Sequence, residues 1–559
     1  MESVLVVEYG DFADTINVTI PFFSNREQPS MLFQIPSAPQ THLAGRTWPL
    51  RVGKAVGGGS VVNGMAWDRG SASDYDSWEG LGNPAWGWDT LLKYFRKSSR
   101  FSPPADEYVE QYGYEWTPDA YGTGPIHVGY PAWQWPVAEL QARAWVEDLD
   151  AAELTDGADG KNVGVAWMAH SLDGRKSVRS TSETAYYQPV SHRANLHLLV
   201  RHYGAGVKFE GNMTTGVEVA SLEGKNSKFV SSKNVILAAG AVNTPRILQL
   251  SGIGPAKLLK SLDIDLVVDA PGVGANFQDH PRFFMSHKYL MEDPKFYDAA
   301  WEEYVTNKTG PFTHTWLSRV VFDSLQDLDP KFESIADSLD DQEPLAHLPP
   351  IYAENPSLVK GFVQQRKITQ SRFRNSQAGV MEYALTDISQ GGEIPLAIGL
   401  QKPLSRGTIM INSTNPDPSI PLVVDFQSVS NPVDILLLIR GFQRTRKFMG
   451  SQTMASLEPV EVSPGPSVDD SSDVDVEKAL RETLLIPSFD HPAGTAAMMP
   501  REWGGVVDAK LRVYGVEGLW VVDASMMPLL PAAHTQATVY AVAEYAAELI
   551  QGYGKNEQG

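Results

Sequence analysis

The sequence predicts a mixed α/β and α+β protein built from two or more intertwined domains. Three observations carry this. The chain has 559 residues, 42% of them hydrophobic, more than one compact core accommodates. A β-branched run opens the chain, and a second buried-strand pattern near Val235 passes through a tight turn into a helix. Aromatics reach 10%, with 14 Trp, which suits a large interior and an aromatic-lined cavity.

Charge narrows the classes of partner. There are 46 basic and 67 acidic residues, a formal net of −21, with no Lys/Arg run able to track phosphates. Nucleic acid and anionic membrane surfaces are therefore not expected partners. No apolar run approaches the ~18 residues of a membrane span. Cysteine is absent, which excludes disulfides, thiolate catalysis and cysteine-ligated zinc. It leaves the compartment open. So do the four sequons at Asn17, Asn212, Asn307 and Asn412, a number not far from chance.

The first element is Ser3-Val4-Leu5-Val6-Val7-Glu8-Tyr9-Gly10, read as a strand. In a dinucleotide-binding βαβ unit such a run is the second strand; its terminal acid bonds a ribose, and a glycine fingerprint lies roughly 20 residues earlier. An ordinary buried strand with a chance Glu8 reads equally well. Next comes Gly53-Lys54-Ala55-Val56-Gly57-Gly58-Gly59-Ser60, then Asn63. Consecutive glycines let backbone N–H groups approach an anion, and a helix starting after Ser60 adds its positive end. A plain flexible turn fits the same residues. Trp86-Gly87-Trp88-Asp89 introduces a helix, with Asp89 as N-cap and Leu91, Leu92, Tyr94 and Phe95 as its apolar face.

Further along, Trp135–Leu149 has helical apolar spacing, and Ser177–Ser182 precedes a helix through Tyr187. Asn234–Gly240 is a buried strand. It leads into a helix capped by Thr244, with Pro245 at its first position and Gly252 and Gly254 at its end. Pro271–His280 is another Gly-rich loop, Gly407–Ile411 alternates as a strand, and Ile435–Met449 is an amphipathic helix. The acidic stretch Asp323–Asp341 and the run Ser463–Asp475 read as solvated surface loops.

The C-terminal block is the most informative. It holds His491-Pro492-Ala493-Gly494-Thr495, then Val521-Val522-Asp523-Ala524-Ser525, then His534 ahead of a final apolar helix. Both histidines fall at loop-to-element junctions, where a rigid scaffold can hold catalytic groups. An imidazole pair can deprotonate and hydrogen-bond a hydroxyl near neutral pH. Taken alone, two of 12 histidines carry little weight, because most histidines are structural.

In combination these motifs resemble the glucose-methanol-choline (GMC) flavoprotein oxidoreductases. Gly53 through Asn63 to Asp76 is similar to the family's first signature, and Gly240–Gly254 to its second. The His491 loop, Val521–Ser525 and His534–Ile550 are similar to its C-terminal block. The Ala533-His534-Thr535-Gln536-Ala537 context resembles the fungal aryl-alcohol oxidase-like branch.

The resemblance implies a Rossmann-like FAD-binding domain assembled from residues 1–100, 190–285 and 485–559, and a substrate domain of residues 101–189 and 286–484 on an antiparallel sheet. It implies that FAD lies extended, with the flavin facing His491 and His534. Glu8 would hold the adenosine ribose and the Val207 backbone the adenine. Gly57, Gly58, Ser60 and Asn63 would run along the pyrophosphate and flavin. Asp523 and Ala524 would sit near the ribityl or pyrophosphate, and Thr535 and Gln536 near the flavin pyrimidine. Some members attach FAD through a histidine at the position of Asn63; asparagine cannot, so FAD is expected to be non-covalent.

One departure stands beside the match. The family's first strand, its Gly-x-Gly-x-x-Gly turn and the helix after it are missing. That strand is central, so two strand edges are expected to lie open, and the pyrophosphate loses a helix N-terminus. The N-terminus is expected to be incomplete, and the chain as written to purify largely colourless; the alternative is an FAD-deficient truncated pseudoenzyme.

The expected activity is oxidation of a primary, aromatic or bulky alcohol to the aldehyde, in fungal secondary metabolism. His491 takes the hydroxyl proton, the carbinol hydride passes to flavin N5, and His534 orients the alcohol and stabilises the alkoxide. The expected partner is a small-molecule alcohol. A hydroxynitrile-lyase-like reaction on the same histidines is the alternative. The electron acceptor and the oligomeric state stay open.

Overall fold

A six-stranded antiparallel sheet forms the larger scaffold, in the order Val460–Ser463, Arg282–Lys288, Glu393–Leu400, Met381–Thr386, Leu317–Asp323, Gly164–Trp167. The computed structural model describes residues 3–24, 26, 28–224, 227–289, 298–386 and 393–556. Side chains on a strand alternate between faces, and the Arg282–Lys288 strand uses both. Phe283 and Met285 join a core with Leu437, Leu438 and Phe442 of the helix Pro432–Met449. Each such buried side chain contributes about 1.5–3 kcal/mol. The alternate residues Arg282, Phe284 and Ser286 face a large cavity instead. Register places Arg282 opposite Gly399, and Gly399 opposite Glu382. These three residues therefore form one row on the cavity side of the sheet.

The parallel part of the fold is in two separate pieces. Val4–Val7 pairs in parallel with Leu196–Leu199, and Val235–Leu237 pairs in parallel with Leu519–Val521. Among the described residues no strand joins the two pairs. Their outer surfaces show it: Val4 is 50% exposed, Leu5 41%, Val6 42% and Ile236 50%. The open strand edges read from the sequence are present. A three-stranded meander, His202–Glu210, Met213–Ser221 and Ser227–Ser231, completes this region.

The C-terminal helix Gln536–Asn556 packs on the helix Trp88–Ser98. Tyr545 stacks on Tyr94 at 4.6 Å, and Tyr94 Oη donates to Glu548. Leu91, Tyr94 and Phe95 are buried as their spacing requires, while Leu92 is half-buried. Among the described residues, no helix is long and apolar enough to cross a membrane.

Three local expectations need correction. The helix of residues 240–250 starts at Gly240, not Thr244, and Pro245 lies inside it. Proline removes one intrahelical bond; the carbonyl four residues earlier, Ala241 O, accepts from Thr495 Oγ1 at 2.6 Å instead. Asp523 supplies the cap from a distant segment, accepting from Gly240 N and Thr244 Oγ1. Asp89 is not an N-cap: Gly87 holds that place, and the Trp88 N–H donates to Asp76 Oδ1. The stretch Asp323–Asp341 is not a loop, although its acids Asp327, Glu333, Asp337, Asp340 and Asp341 are exposed as read. It contains the helices Leu325–Leu328 and Phe332–Asp337, buries Leu325, Ile335 and Leu339, and pairs the buried Asp323 with Arg444. Ser463–Asp475 is a surface loop as read, giving way at Asp473 to the helix Asp473–Ala479, capped by Ser472.

Candidate functional site

The tripeptide Asp-His-Pro occurs twice, at residues 279–281 and 490–492, and the fold brings the two copies together. His280 Nδ1 lies 3.0 Å from His491 Nδ1, with ring planes at 87°. One proton can sit between these nitrogens, so one imidazole donates and the other accepts. Asp279 holds the second copy in place. Its Oδ1 accepts from the backbone N–H of Phe489 and of His491, and its Oδ2 from Ser488 Oγ at 2.6 Å. Burial, with Asp490 adding to it, raises Asp279 to about 7.

His491 and His534 then meet with ring centroids 5.1 Å apart and planes at 79°. Both are buried, and both line a cavity of about 1450 Å³ between the sheet face and the glycine run. Phe489 lies flat on His491, 5.3 Å between centroids and 3° between planes, and meets His534 edge-on. Phe489 fits because Gly399 lies beneath it: a Cβ there would fall 2.9 Å from the ring.

The two histidines are held in opposite protonation states. Burial, then the charge on His534 and the nearby His280 and Arg282, pushes His491 well below the usual imidazole range. Burial acts in the same direction on His534 and is the largest single influence. Two carboxylates outweigh it and lift His534 to about 9. Asp68 is one: Oδ1 accepts the His534 backbone N–H at 2.9 Å, and Oδ2 sits 3.3 Å from Nδ1. Glu382 is the other, with Oε1 at 3.7 Å from Nε2. The result is a neutral base beside a cation, in a site shielded from water.

The other expected site residues divide into two groups. Gly57, Ser60, Asn63, Thr535 and Gln536 line the same cavity as the histidines. Asn63 Nδ2 donates to Gln536 Oε1 at 2.8 Å, and Asn63 Oδ1 accepts from Arg179 Nη1. Gly57 and Gly58 have φ of +103° and +55°, and a Cβ on Gly58 or Gly59 would meet nothing within 4 Å. The helix expected after Ser60 is a single turn, Gly59–Val62. Glu8, Gly58, Val207, Asp523 and Ala524 do not line this cavity. Glu8 Oε1 accepts from Gly10 N, the Val207 N–H donates to Ser251 Oγ, and both Asp523 oxygens are engaged within the protein.

The sequence reading missed Asp68, Asp279, His280, Arg282, Glu382 and Phe489. Two of these left a signal. The repeated Asp-His-Pro marks His280, and Glu382 interrupts an otherwise apolar strand, Met381–Thr386, where an unpaired carboxylate is not tolerated without cause. Asp68 left none, since it reaches His534 across 466 residues of chain.

Comparison with known proteins agrees with this architecture. The GMC oxidoreductase family models match residues 15–282 and 403–543. The chain is 34% identical to "Dehydrogenase xptC" of Emericella nidulans over 98% of its length and 89% of that protein. It is 29% identical to "Patulin synthase" of Penicillium expansum, covering 98% and 88%. Among solved structures, an FAD-dependent oxidoreductase from Chaetomium thermophilum superposes with a TM-score of 0.93 at 32% identity, covering 99% and 95%. A fungal aryl-alcohol oxidase gives 0.90 at 34% identity, also covering 99% and 95%. With its two-histidine cavity, its antiparallel sheet and these matches over most of its length, the chain belongs to the GMC oxidoreductases, flavoenzymes that act on alcohols.

Proposed function

We propose that this protein oxidises a primary, aromatic or otherwise bulky alcohol to its aldehyde, with His491 as the base. The observation that carries the reading is the opposed pair: a neutral His491 and a cationic His534, 5.1 Å apart on the wall of one cavity. His491 Nδ1 faces His280, so Nε2 is the nitrogen left to take the hydroxyl proton. His534 supplies positive charge where the alkoxide forms. Its Nε2 lies farther from Glu382 than a hydrogen bond, so that N–H stays free to donate. Phe489, Phe284, Phe312 and Trp316 give the cavity apolar walls, which suit an aromatic ring and exclude water.

The residues at one end of the cavity fit FAD, the cofactor of this family. Gly59 lines the cavity with open space where a Cβ would stand, and Ser60, Asn63, Thr535 and Gln536 follow along the wall. Bound there, FAD supplies the acceptor for the carbinol hydride. Asn63 has no ring nitrogen for a covalent link and spends its amide on Gln536 and Arg179, which supports non-covalent binding. This reading takes residues 1–100, 190–285 and 485–559 as the FAD-binding part and the remainder as the substrate part. It takes a free small-molecule alcohol as the partner, in the kind of fungal secondary metabolism to which the similar dehydrogenases and patulin synthases point.

The test is anaerobic mixing of the FAD-loaded protein with a panel of benzylic alcohols, sugars, choline and short aliphatic alcohols. Benzylic alcohols are expected to bleach the flavin, and His491→Ala to slow bleaching by about 10²-fold or more. Unchanged single-turnover reduction in His491→Ala removes the assignment. Cyanide release from mandelonitrile without bleaching by any alcohol identifies a lyase instead.

A further inference from the structure

Arg282 is a buried guanidinium on the wall of the histidine cavity, and its hydrogen-bonding capacity is not filled. Its residue is 9% exposed. Its Nε has no hydrogen-bond partner, and its Nη2 reaches Asp490 only at 3.7 Å. That carboxylate is already taken by Arg51, which donates to both of its oxygens. Two guanidinium groups therefore share one aspartate. Asp279 and Glu382 act on it through space, and its Cζ lies 4.4 Å from the Phe489 centroid and 5.1 Å from that of Phe284.

A guanidinium out of water with an unfilled donor is costly, and cation–π contact offsets that only in part. The cost falls at a particular place. Phe489 touches Arg282 on one side and stacks on His491, so the cation sits about one aromatic ring away from the histidine pair. Arg282 is also near enough to lower the proton affinity of both histidines. Its planar fork matches a carboxylate in two-point contact. Phe284 and Phe312 line the same space and would flank an aromatic spacer.

We propose that the alcohol oxidised here carries an anionic group, a carboxylate held by Arg282 across an aromatic ring from the carbinol. This rests on the alcohol-oxidising reading above and names its substrate class. In the reaction the carbinol gives its hydroxyl proton to His491 and a hydride, with both electrons, to FAD. The aldehyde forms, and the carboxylate is unchanged throughout.

The probes are 4-(hydroxymethyl)benzoate and 4-methylbenzyl alcohol, near-isosteric and differing in the charge. Single-turnover flavin reduction is expected to favour the carboxylate by about tenfold or more in rate constant over dissociation constant, the scale of one charge-assisted contact. Arg282→Met is expected to abolish that ratio, and Arg282→Lys to keep part of it. A ratio at or below one in the native chain, or one unchanged in Arg282→Met, overturns the proposal while leaving alcohol oxidation intact. If neither alcohol bleaches the flavin, it is the alcohol-oxidising reading that fails. Calorimetric titration with 4-methylbenzoate then still tests Arg282: binding by the native chain and by Arg282→Lys, lost in Arg282→Met, supports it. Equal binding by all three, or none, overturns it. Thermal melts of each variant show that the comparison is between folded proteins.

Discussion

Asp68 grips His534 at two points, accepting its backbone N–H at 2.9 Å and facing its Nδ1 at 3.3 Å. The same carboxylate thus fixes where the ring is and keeps it charged. Because His534 is lifted to about 9, its cation is present below that pH and lost above it. Flavin reduction is expected to fall as pH rises past about 9, while the depressed His491 keeps the acid limb well below neutrality. Asp68→Asn is expected to bring the alkaline limb down toward the ordinary histidine value of about 6.5. A limb that stays put in a pH series of the variant contradicts the assignment.

The same shift is a statement about stability. A histidine raised on folding contributes stability that is complete below its unfolded value, about 6.5, and lost as pH rises through its folded value, here about 9. Urea midpoints of the native chain should therefore decline between those limits, and less so in Asp68→Asn.

His280 is expected to act on the chemistry through His491. His280→Ala leaves the His491 Nδ1 without its 3.0 Å partner and releases the tautomer it fixes. Loss of a partner of this kind costs about 10- to 100-fold at metal-bound histidines, and a similar slowing of flavin reduction is expected. An unchanged rate with an unchanged acid limb would show the contact to be packing alone.

Gly399 is expected to tolerate no side chain. A Cβ there would lie 2.9 Å from two carbons of the Phe489 ring, so the ring must shift, and His491 stacks on it. Gly399→Ala should cost about 1–3 kcal/mol, as overpacking does, and slow flavin reduction. Pairing it with Phe489→Leu, which shrinks the ring side, should recover part of both. Additive effects in that double-mutant cycle would rule the contact out.

Asp74 ties separate segments together from full burial. Its Oδ1 lies 2.6 Å from Lys402 Nζ and 3.3 Å from Arg372 Nη2, and its Oδ2 accepts from Ala532 N, two residues before His534. Removing one member of a buried ionic group leaves the others uncompensated, so Asp74→Ala should destabilise by about 3–5 kcal/mol. A loss under about 1 kcal/mol in urea unfolding would mean that water replaces the carboxylate.

Local patterns were legible in the sequence where chemistry and neighbours along the chain agree. The helix at Pro432–Met449 and the strand at Val235–Leu237 fall where the residues place them. What the sequence hid is what depends on distant partners. The start of the Gly240 helix is set by Asp523, and its internal proline is accommodated by Thr495. In the acidic stretch after Asp323, Asp323 and Asp329 are buried because Arg444 and Arg440, over a hundred positions away, reach them. Both cavity histidines were readable from their motifs, but their different protonation states were not. His534 is held charged by Asp68 and Glu382, which no spacing connects to it, and His491 is held neutral by burial and the charge of His534.

The distances along the chain within the site also set when it can form. His280 meets His491 across 211 residues, and Asp68 meets His534 across 466. Closing such loops is entropically expensive and comes late relative to local helices and hairpins. Far-ultraviolet signal should therefore return well before activity on dilution from denaturant, so that secondary structure precedes the histidine pocket.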